Sequence, residues 1–154
     1  MQLKSLKIFC FNCRSIRSKI SHISEYLLDC NIDIALLQET WLRKSDSALV
    51  TQLEEYNFNV LKPRKPRAID KGGGVALLSK RNYKIQQLKT EQFPSFEHVT
   101  GKVKTNKGTV FISTIYYPGY LSKHKFTFVQ FLSDFNDFLS SYCKQWNSLN
   151  YWRL

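Results

Sequence analysis

The sequence predicts an α/β fold, in which helices pack against a mixed sheet. Residues 32–38 form a short run rich in Ile and Leu, which is typical of a strand buried on both faces. An amphipathic stretch at 19–30 precedes that run and follows a first apolar segment, so the order is strand, helix, strand. With 154 residues, 43% of them hydrophobic and 23% charged, the chain has the size and composition of one globular domain.

The first strand-helix-strand unit is predicted from periodicity. The first strand covers residues 6–11 and ends at Asn12, and a basic turn at 14–19 leads into the helix. Apolar residues recur there every three or four positions, as expected for a helix that buries one face. This stripe consists of Ile20, Ile23, Leu27 and Cys30.

The middle of the chain is predicted to be mostly strands. The turn Asn106-Lys107-Gly108 indicates a hairpin, and the Gly-Gly-Gly run at 72–74 indicates close passage of the backbone. The remaining predicted elements are a short helix at 49–55 and strands at 58–61, 75–79, 97–105 and 109–117.

A Phe-rich helix is predicted at 126–142, because apolar residues recur on one face throughout it. Asp134 and Asn136 resemble a catalytic Asp-x-Asn pair. With Phe135 between them in the core, both are expected to point outward, and the match is interpreted as accidental. Residues 144–154 lack a clear period and are predicted to form a divergent tail after a domain at 1–143.

Charge and cysteine content narrow the class of partner and compartment. Lys and Arg number 23 against 12 Asp and Glu, a net charge of +11 that favours a polyanion, nucleic acid before acidic lipid. Cys10 and Cys13 form a C-x-x-C, but nothing completes a zinc site, and Cys10 is expected to fill the core. No signal peptide and no apolar run of ~20 residues is present, so we expect an intracellular protein without a membrane span.

Polar side chains stand at three predicted strand ends: Asn12, Glu39 and Tyr116. Ligands of open α/β sheets sit in the crevice beyond the strand ends. A carboxylate there can hold Mg²⁺, while an amide and a phenol can orient a phosphate. The alternative for Glu39 is a solvated strand end. A Mg²⁺-binding carboxylate beside an amide and a phenol suits metal-assisted hydrolysis of a phosphodiester.

The segment 62–71 is basic and kinked by two prolines, which predicts an exposed loop. It is either a solvated run of charge or a sequence-independent contact to phosphates. In the second case the candidate nucleic-acid contacts are Arg64, Lys65 and Arg67, together with Arg14 in the first turn.

Four segments, in order, resemble the endonuclease/exonuclease/phosphatase superfamily. The segment LKIFCFNCRSI at 6–16 resembles its opening strand, and the Asn-x-Arg-Ser form is most similar to endonucleases of non-LTR (LINE-type) retrotransposons. The segment LLQETWL at 36–42 is similar to the metal-binding LQET motif. GGGVALL at 72–78 and IYYP at 115–118 resemble the GGVA strand and the I-Y-x-P motif.

The resemblance implies a four-layer α/β sandwich like that of deoxyribonuclease I, here incomplete, with a Mg²⁺-dependent phosphodiesterase site. Glu39 would be the metal ligand, Asn12 would help place metal and phosphate, and Tyr116 would contact the scissile phosphate. The implied partner is DNA and the implied compartment is the nucleus. In a full-length element a reverse transcriptase domain would follow.

The sequence also departs from the family pattern. The family uses a G-D-x-N strand that supplies an aspartate base, and later an aspartate–histidine pair, and neither is found here. The three histidines, His22, His98 and His124, lie too early in the chain to replace the missing one. The chain is therefore expected to be the first part of an endonuclease domain, with impaired catalysis.

Two other functions remain open at this stage. The chain could be a non-catalytic, basic nucleic-acid-binding fragment, which the net charge supports. It could also belong to a phosphoinositide or sphingolipid phosphodiesterase branch of the superfamily. The basic loop and the Asn-Cys-Arg-Ser form favour the retrotransposon branch over the lipid one.

Overall fold

The structure is a computed structural model that describes residues 5–43, 45–50, 53, 55–62, 72–106, 108–119 and 126–150. Within these ranges the elements are, in chain order, β1 (Ile8–Asn12), α1 (Ile20–Asp29), β2 (Ile34–Gln38), α2 (Ser47–Val50), β3 (Tyr56–Lys62), β4 (Val75–Lys80), β5 (Ile85–Gln87), β6 (Glu97–Thr105), β7 (Gly108–Tyr116) and α3 (Phe128–Asn150).

The described residues divide into two compact units. The first takes those up to Thr90 and from His98 to Tyr116, and the second takes Glu91–Glu97 and those from Tyr117 onward. Among the described helices, none has the length and apolarity needed to cross a membrane.

The first unit contains two sheets. In the four-stranded sheet the order is β1-β2-β4-β3, with β1 parallel to β2, and with β4 antiparallel to both β2 and β3. The second sheet has the order β5-β6-β7, and β5 is antiparallel to β6. The predicted α/β class with a mixed sheet and flanking helices is therefore confirmed.

The central strand β2 is buried on both faces, because each face meets a different layer. Ala35 and Leu37 belong to the cluster of buried residues that includes α1, whereas Ile34 belongs to a second cluster with residues of β6 and β7. Successive side chains of a strand point to opposite faces, which explains this alternation. The continuous apolar run in the sequence follows from burial on both sides.

The helix α1 buries the predicted stripe. Ile20, Ile23 and Leu27 are buried, and Cys30 packs against the same cluster. Tyr56 of β3 closes the turn between α1 and β2, because its single hydroxyl proton is shared between the Ile32 carbonyl at 2.6 Å and the Leu27 carbonyl at 2.8 Å. The start of β2 is thereby tied to the end of α1.

Several predicted boundaries differ from those observed. β1 starts two residues later than predicted, α2 covers Ser47–Val50 among the described residues where a helix over 49–55 was predicted, and β5 was not predicted. α3 continues to Asn150, into the predicted tail, since residues 143–150 contain no Gly or Pro to stop a helix. The division between a domain and a tail at residue 143 stays a prediction.

The second unit is built on α3 and on the segment 91–97. Phe93 and Phe96 meet Phe138 of the helix edge-on, with ring centroids 6.1 and 5.9 Å apart. The Ser95 hydroxyl donates to the Asp134 carboxylate at 2.6 Å, and the Ser95 N–H donates to it at 3.2 Å. The expectation that Asp134 points outward is therefore wrong: its carboxylate fastens this segment to the helix.

Candidate functional site

The candidate site begins where β1 and β2 end, because the two chains stay paired beyond their strands. The Cys13 N–H donates to the Gln38 carbonyl at 2.8 Å, and the Ser15 N–H donates to the Glu39 carbonyl at 2.9 Å. Since β1 and β2 are parallel, their carboxyl ends lie at the same edge of the sheet. Asn12 and Glu39 are thus placed side by side by the strand register.

The glycine run at 72–74 lies on the other side of Glu39. The Thr40 N–H donates to the Gly74 carbonyl at 3.0 Å, and the Trp41 N–H donates to the Gly73 carbonyl at 3.1 Å. Gly73 and Gly74 have φ values of 79° and 85°, which glycine adopts without steric cost. The expected close passage of backbone at this run therefore takes place against the chain that carries Glu39.

The turns around Glu39 contain unusual backbone conformations for residues other than glycine. Positive φ values occur at Arg14 (42°), Ser15 (79°), Glu39 (49°) and Trp41 (55°). Such conformations cost free energy in L-residues and cluster at functional sites, where the surrounding hydrogen bonds enforce them. The positive φ of Glu39 turns the chain sharply after β2.

The side chains of Asn12 and Glu39 are in direct contact. Asn12 Nδ2 donates to Glu39 Oε1 at 3.0 Å, and Asn12 Oδ1 accepts a hydrogen bond from the Arg14 N–H at 3.2 Å. Asn12 is exposed and Glu39 is half-buried. In this structure Asn12 orients the Glu39 carboxylate, while a direct contact of Asn12 with metal or phosphate stays a prediction.

Gln38 links the second sheet to the same edge. Its Nε2 donates to Thr114 Oγ1 of β7 at 2.7 Å and to Cys10 Sγ at 3.2 Å. Tyr116 lies two residues beyond Thr114, on the same face of β7 and at the end of that strand, and it is half-buried against the second core cluster. The role of Tyr116 at a scissile phosphate stays a prediction. Sequence reasoning missed Gln38 and Thr114, although both are polar residues within apolar strands.

The two nearest cysteines differ in environment. Cys13 is fully buried, and burial raises the pKa of its thiol to about 12; the Glu39 carboxylate acts in the same direction and Lys19 opposes it. Cys13 is therefore a neutral core residue. Cys10 is exposed on β1, contrary to the expected core position, because β1 is the edge strand of its sheet. All four cysteines are free.

The other candidate residues are spread over several parts of the chain. Arg14 is exposed two residues after Asn12, and its N–H donates to Asn12 Oδ1. Arg64, Lys65 and Arg67 lie outside the described residues, as does His124. His22 is exposed on α1, and His98 is buried in β6 with 1% exposure.

The oxygen donors at the strand ends are the Glu39 carboxylate and the Asn12 amide. Among the described residues, no group of three or more His, Cys, Asp or Glu side chains could hold a metal. Mg²⁺ does not require such a cage, since it is bound through one or two carboxylates and completes its shell with waters and substrate phosphates. One oriented carboxylate beside an amide fits a Mg²⁺ site of that open kind.

The sequence profile described as the endonuclease/exonuclease/phosphatase family matches residues 9–152. The chain belongs to this family. The matched range contains Asn12, Glu39 and Tyr116. A comparison with curated protein sequences gave no match.

Two solved structures show the same fold at low sequence identity. The endonuclease domain of TRAS1, a telomere-specific non-LTR retrotransposon, is 10% identical with a TM-score of 0.58, over 86% of this chain and 52% of that one. The human Nocturnin catalytic domain with bound sulfate anion is 12% identical with a TM-score of 0.64, over 93% and 59%. The chain therefore spans between half and three-fifths of the length of these structures.

Proposed function

We propose that this chain supplies the glutamate part of a divalent-metal-dependent phosphodiesterase site that acts on DNA. The observation that carries the proposal is the 3.0 Å hydrogen bond between Asn12 Nδ2 and Glu39 Oε1 at the ends of β1 and β2. Membership of the family supports the reaction class. The similarity of 6–16 to retrotransposon endonucleases supports DNA as the substrate.

Each side chain has a distinct part in this site. The Glu39 carboxylate and the Asn12 amide would hold Mg²⁺, which when bound polarises phosphate oxygens and lowers the pKa of bound water. Asn12 restricts the rotation of the Glu39 carboxylate, so that the Glu39 side chain loses less conformational entropy when it binds the metal ion. The Tyr116 hydroxyl would donate to a phosphate oxygen on which negative charge develops. Arg14, exposed beside Asn12, would attract the phosphate backbone.

The same reasoning limits the rate expected of this chain. Attack by water on phosphorus needs a base that removes a proton, and general acid–base help contributes about 10²–10⁴-fold. These 154 residues contain no G-D-x-N motif to supply that base. We therefore expect negligible nicking of supercoiled plasmid in the presence of Mg²⁺. Salt-sensitive DNA binding without cleavage is the second candidate function, favoured by the net charge of +11.

The metal site can be tested without catalysis, by measuring Mn²⁺ binding through the electron paramagnetic resonance signal of the free ion. Wild type should remove free Mn²⁺ from solution and Glu39→Gln should not, because the substitution removes the negative charge and keeps the shape. Glu25→Gln is the matched control, since Glu25 is exposed on α1, away from the strand ends. Equal Mn²⁺ binding by wild type and Glu39→Gln would reject the proposed site. Robust nicking that is lost in Glu39→Ala would instead show that the chain is a competent enzyme.

A further inference from the structure

A cavity of about 510 Å³ lies in the first unit, beside β5 and β6. The described residues that line it are Asn82, Tyr83, Lys84, Ile85, Gln86, Lys102, Lys104 and Thr109. Three of them carry a positive charge, and none of the described lining residues is acidic. We call this group of residues the lysine groove.

The strand register explains why the lysines share one face. Gln86 pairs with Lys102 and Ile85 pairs with Val103, and continuing this register one residue before β5 brings Lys84 opposite Lys104. Alternation along each strand then puts Lys84, Lys102 and Lys104 on the outer face of this ribbon. The opposite face is the core, since Ile85 and Val103 are 9% and 1% exposed. Like charges that face each other across strands are destabilising, and an anion would relieve this repulsion.

The lysine groove is separate from the candidate catalytic site. The segment 82–85 begins two residues after the end of β4 at Lys80, and the Lys80 N–H donates to the carbonyl of Asp33, just before β2. Glu39 directly follows the other end of β2. The two sites therefore lie at opposite ends of a five-residue strand, a separation of roughly 17 Å or more.

The chemistry of the lining indicates the kind of anion. Lysines act as point charges, without the bidentate geometry by which arginine fixes a single phosphate. Here they are spread over two strands of an open groove, which suits an extended polyanion. Tyr83 and Asn82 add aromatic and amide groups that a sugar or base could contact. A membrane surface fits less well, because Ile85 is buried and Tyr83 is half-buried, leaving no large apolar side chain for insertion.

We propose that the lysine groove binds a single strand of nucleic acid through its phosphates, at a site independent of the Asn12–Glu39 pair. Binding there does not need a metal ion and does not depend on the proposed phosphodiesterase activity. The groove would hold one nucleic-acid segment while the other end of β2 remains open to another.

The test measures the salt dependence of binding by fluorescence anisotropy, with a fluorescein-labelled oligothymidylate and no divalent cation. Each phosphate contact on a single strand contributes about 0.7 to the slope of log K against log salt. The double variant Lys102→Gln/Lys104→Gln should lower that slope by about 1.4. Its affinity deficit relative to wild type should therefore shrink about sevenfold between about 50 and about 200 mM salt.

The matched control is Lys89→Gln/Lys144→Gln, which removes the same charge from exposed positions outside the groove. This control should keep the wild-type slope, and so should Glu39→Ala, which separates failure of this proposal from failure of the proposed function. A double variant that melts at the wild-type temperature shows that its fold is intact. If the double variant melts at a lower temperature, the proposal is tested by lysine acetylation of the wild-type protein instead. The oligonucleotide should then protect Lys102 and Lys104 from acetylation and leave Lys144 reactive.

Three results would overturn the proposal. The first is a slope in the groove variant equal to that of the control variant, with no protection of the groove lysines. The second is protection by inorganic tripolyphosphate as strong as that by the oligonucleotide at equal phosphate, which would indicate a small-anion site. The third is groove-dependent binding to vesicles containing phosphatidylinositol bisphosphate with no binding of oligonucleotide, which would indicate a lipid surface.

Discussion

Replacing Tyr56 by phenylalanine tests the link between α1 and the strand that ends at Glu39. Tyr56 is 4% exposed, and its one hydroxyl proton is shared between two carbonyls, those of Leu27 and Ile32. The Leu27 carbonyl also accepts a hydrogen bond from the Ile32 N–H at 2.9 Å and keeps this partner in Tyr56→Phe. The substitution therefore mainly removes the hydrogen bond to the Ile32 carbonyl. Leaving a buried acceptor without a partner costs about 1–3 kcal/mol, and we expect the free energy of unfolding to fall by that amount.

The same substitution has a pH signature. Burial raises the pKa of Tyr56 from the ordinary tyrosine value of 10.0 to about 12, with smaller contributions from the charges of Asp33 and Glu55. The folded state holds the proton of the Tyr56 hydroxyl more tightly than the unfolded state does. The contribution of this hydroxyl to the free energy of unfolding is therefore complete below pH 10 and is lost as pH rises towards about 12. The stability gap between wild type and Tyr56→Phe should therefore narrow over that window.

Urea denaturation followed by tryptophan fluorescence measures both effects. Tyr26→Phe is the matched control, because it removes the same atom from a tyrosine on α1 that is 48% exposed, and surface changes usually stay within about 0.5 kcal/mol. Equal losses in the two variants, or a Tyr56→Phe protein as stable as wild type, would refute the assigned role of the hydroxyl. A gap that stays constant up to pH 12 would refute the pKa argument alone.

Two further predictions concern the site and its surroundings. Asn12→Ala should weaken Mn²⁺ binding about 10–100-fold, as expected on losing a residue that orients a ligand, while the control Asn136→Ala on α3 should bind normally; unchanged affinity in Asn12→Ala would show that Glu39 needs no orienting partner. Iodoacetamide at about pH 8 should alkylate Cys10 and Cys143 in the folded protein and spare Cys13, whose thiol is buried with a pKa of about 12. Peptide mass spectrometry reports each site, and rapid labelling of Cys13 before unfolding would contradict its assignment to the core.

Local periodicity was enough to predict α1, β2 and the hairpin arms β6 and β7. The spacing of Ile20, Ile23 and Leu27 is typical of one face of a helix. The apolar run that forms β2 is typical of a strand with both faces covered. The short strand β5 could not be predicted, since Ile85–Gln87 has a single buried residue and is held in place by β6. The continuation of α3 to Asn150 was missed because the aromatic period fades before the helix ends.

The sequence by itself determined which chemical groups stand at the strand ends: an amide at Asn12, a carboxylate at Glu39 and a phenol at Tyr116. It did not determine that Asn12 donates to Glu39, because the two residues are 27 positions apart and meet only through the parallel register of β1 and β2. The positive φ of Glu39 and the three lysines on one face of the β5–β6 ribbon were likewise decided by the tertiary structure. Side-chain periodicity is a property of neighbouring residues, whereas register and turn conformation depend on hydrogen bonds between segments distant in the chain.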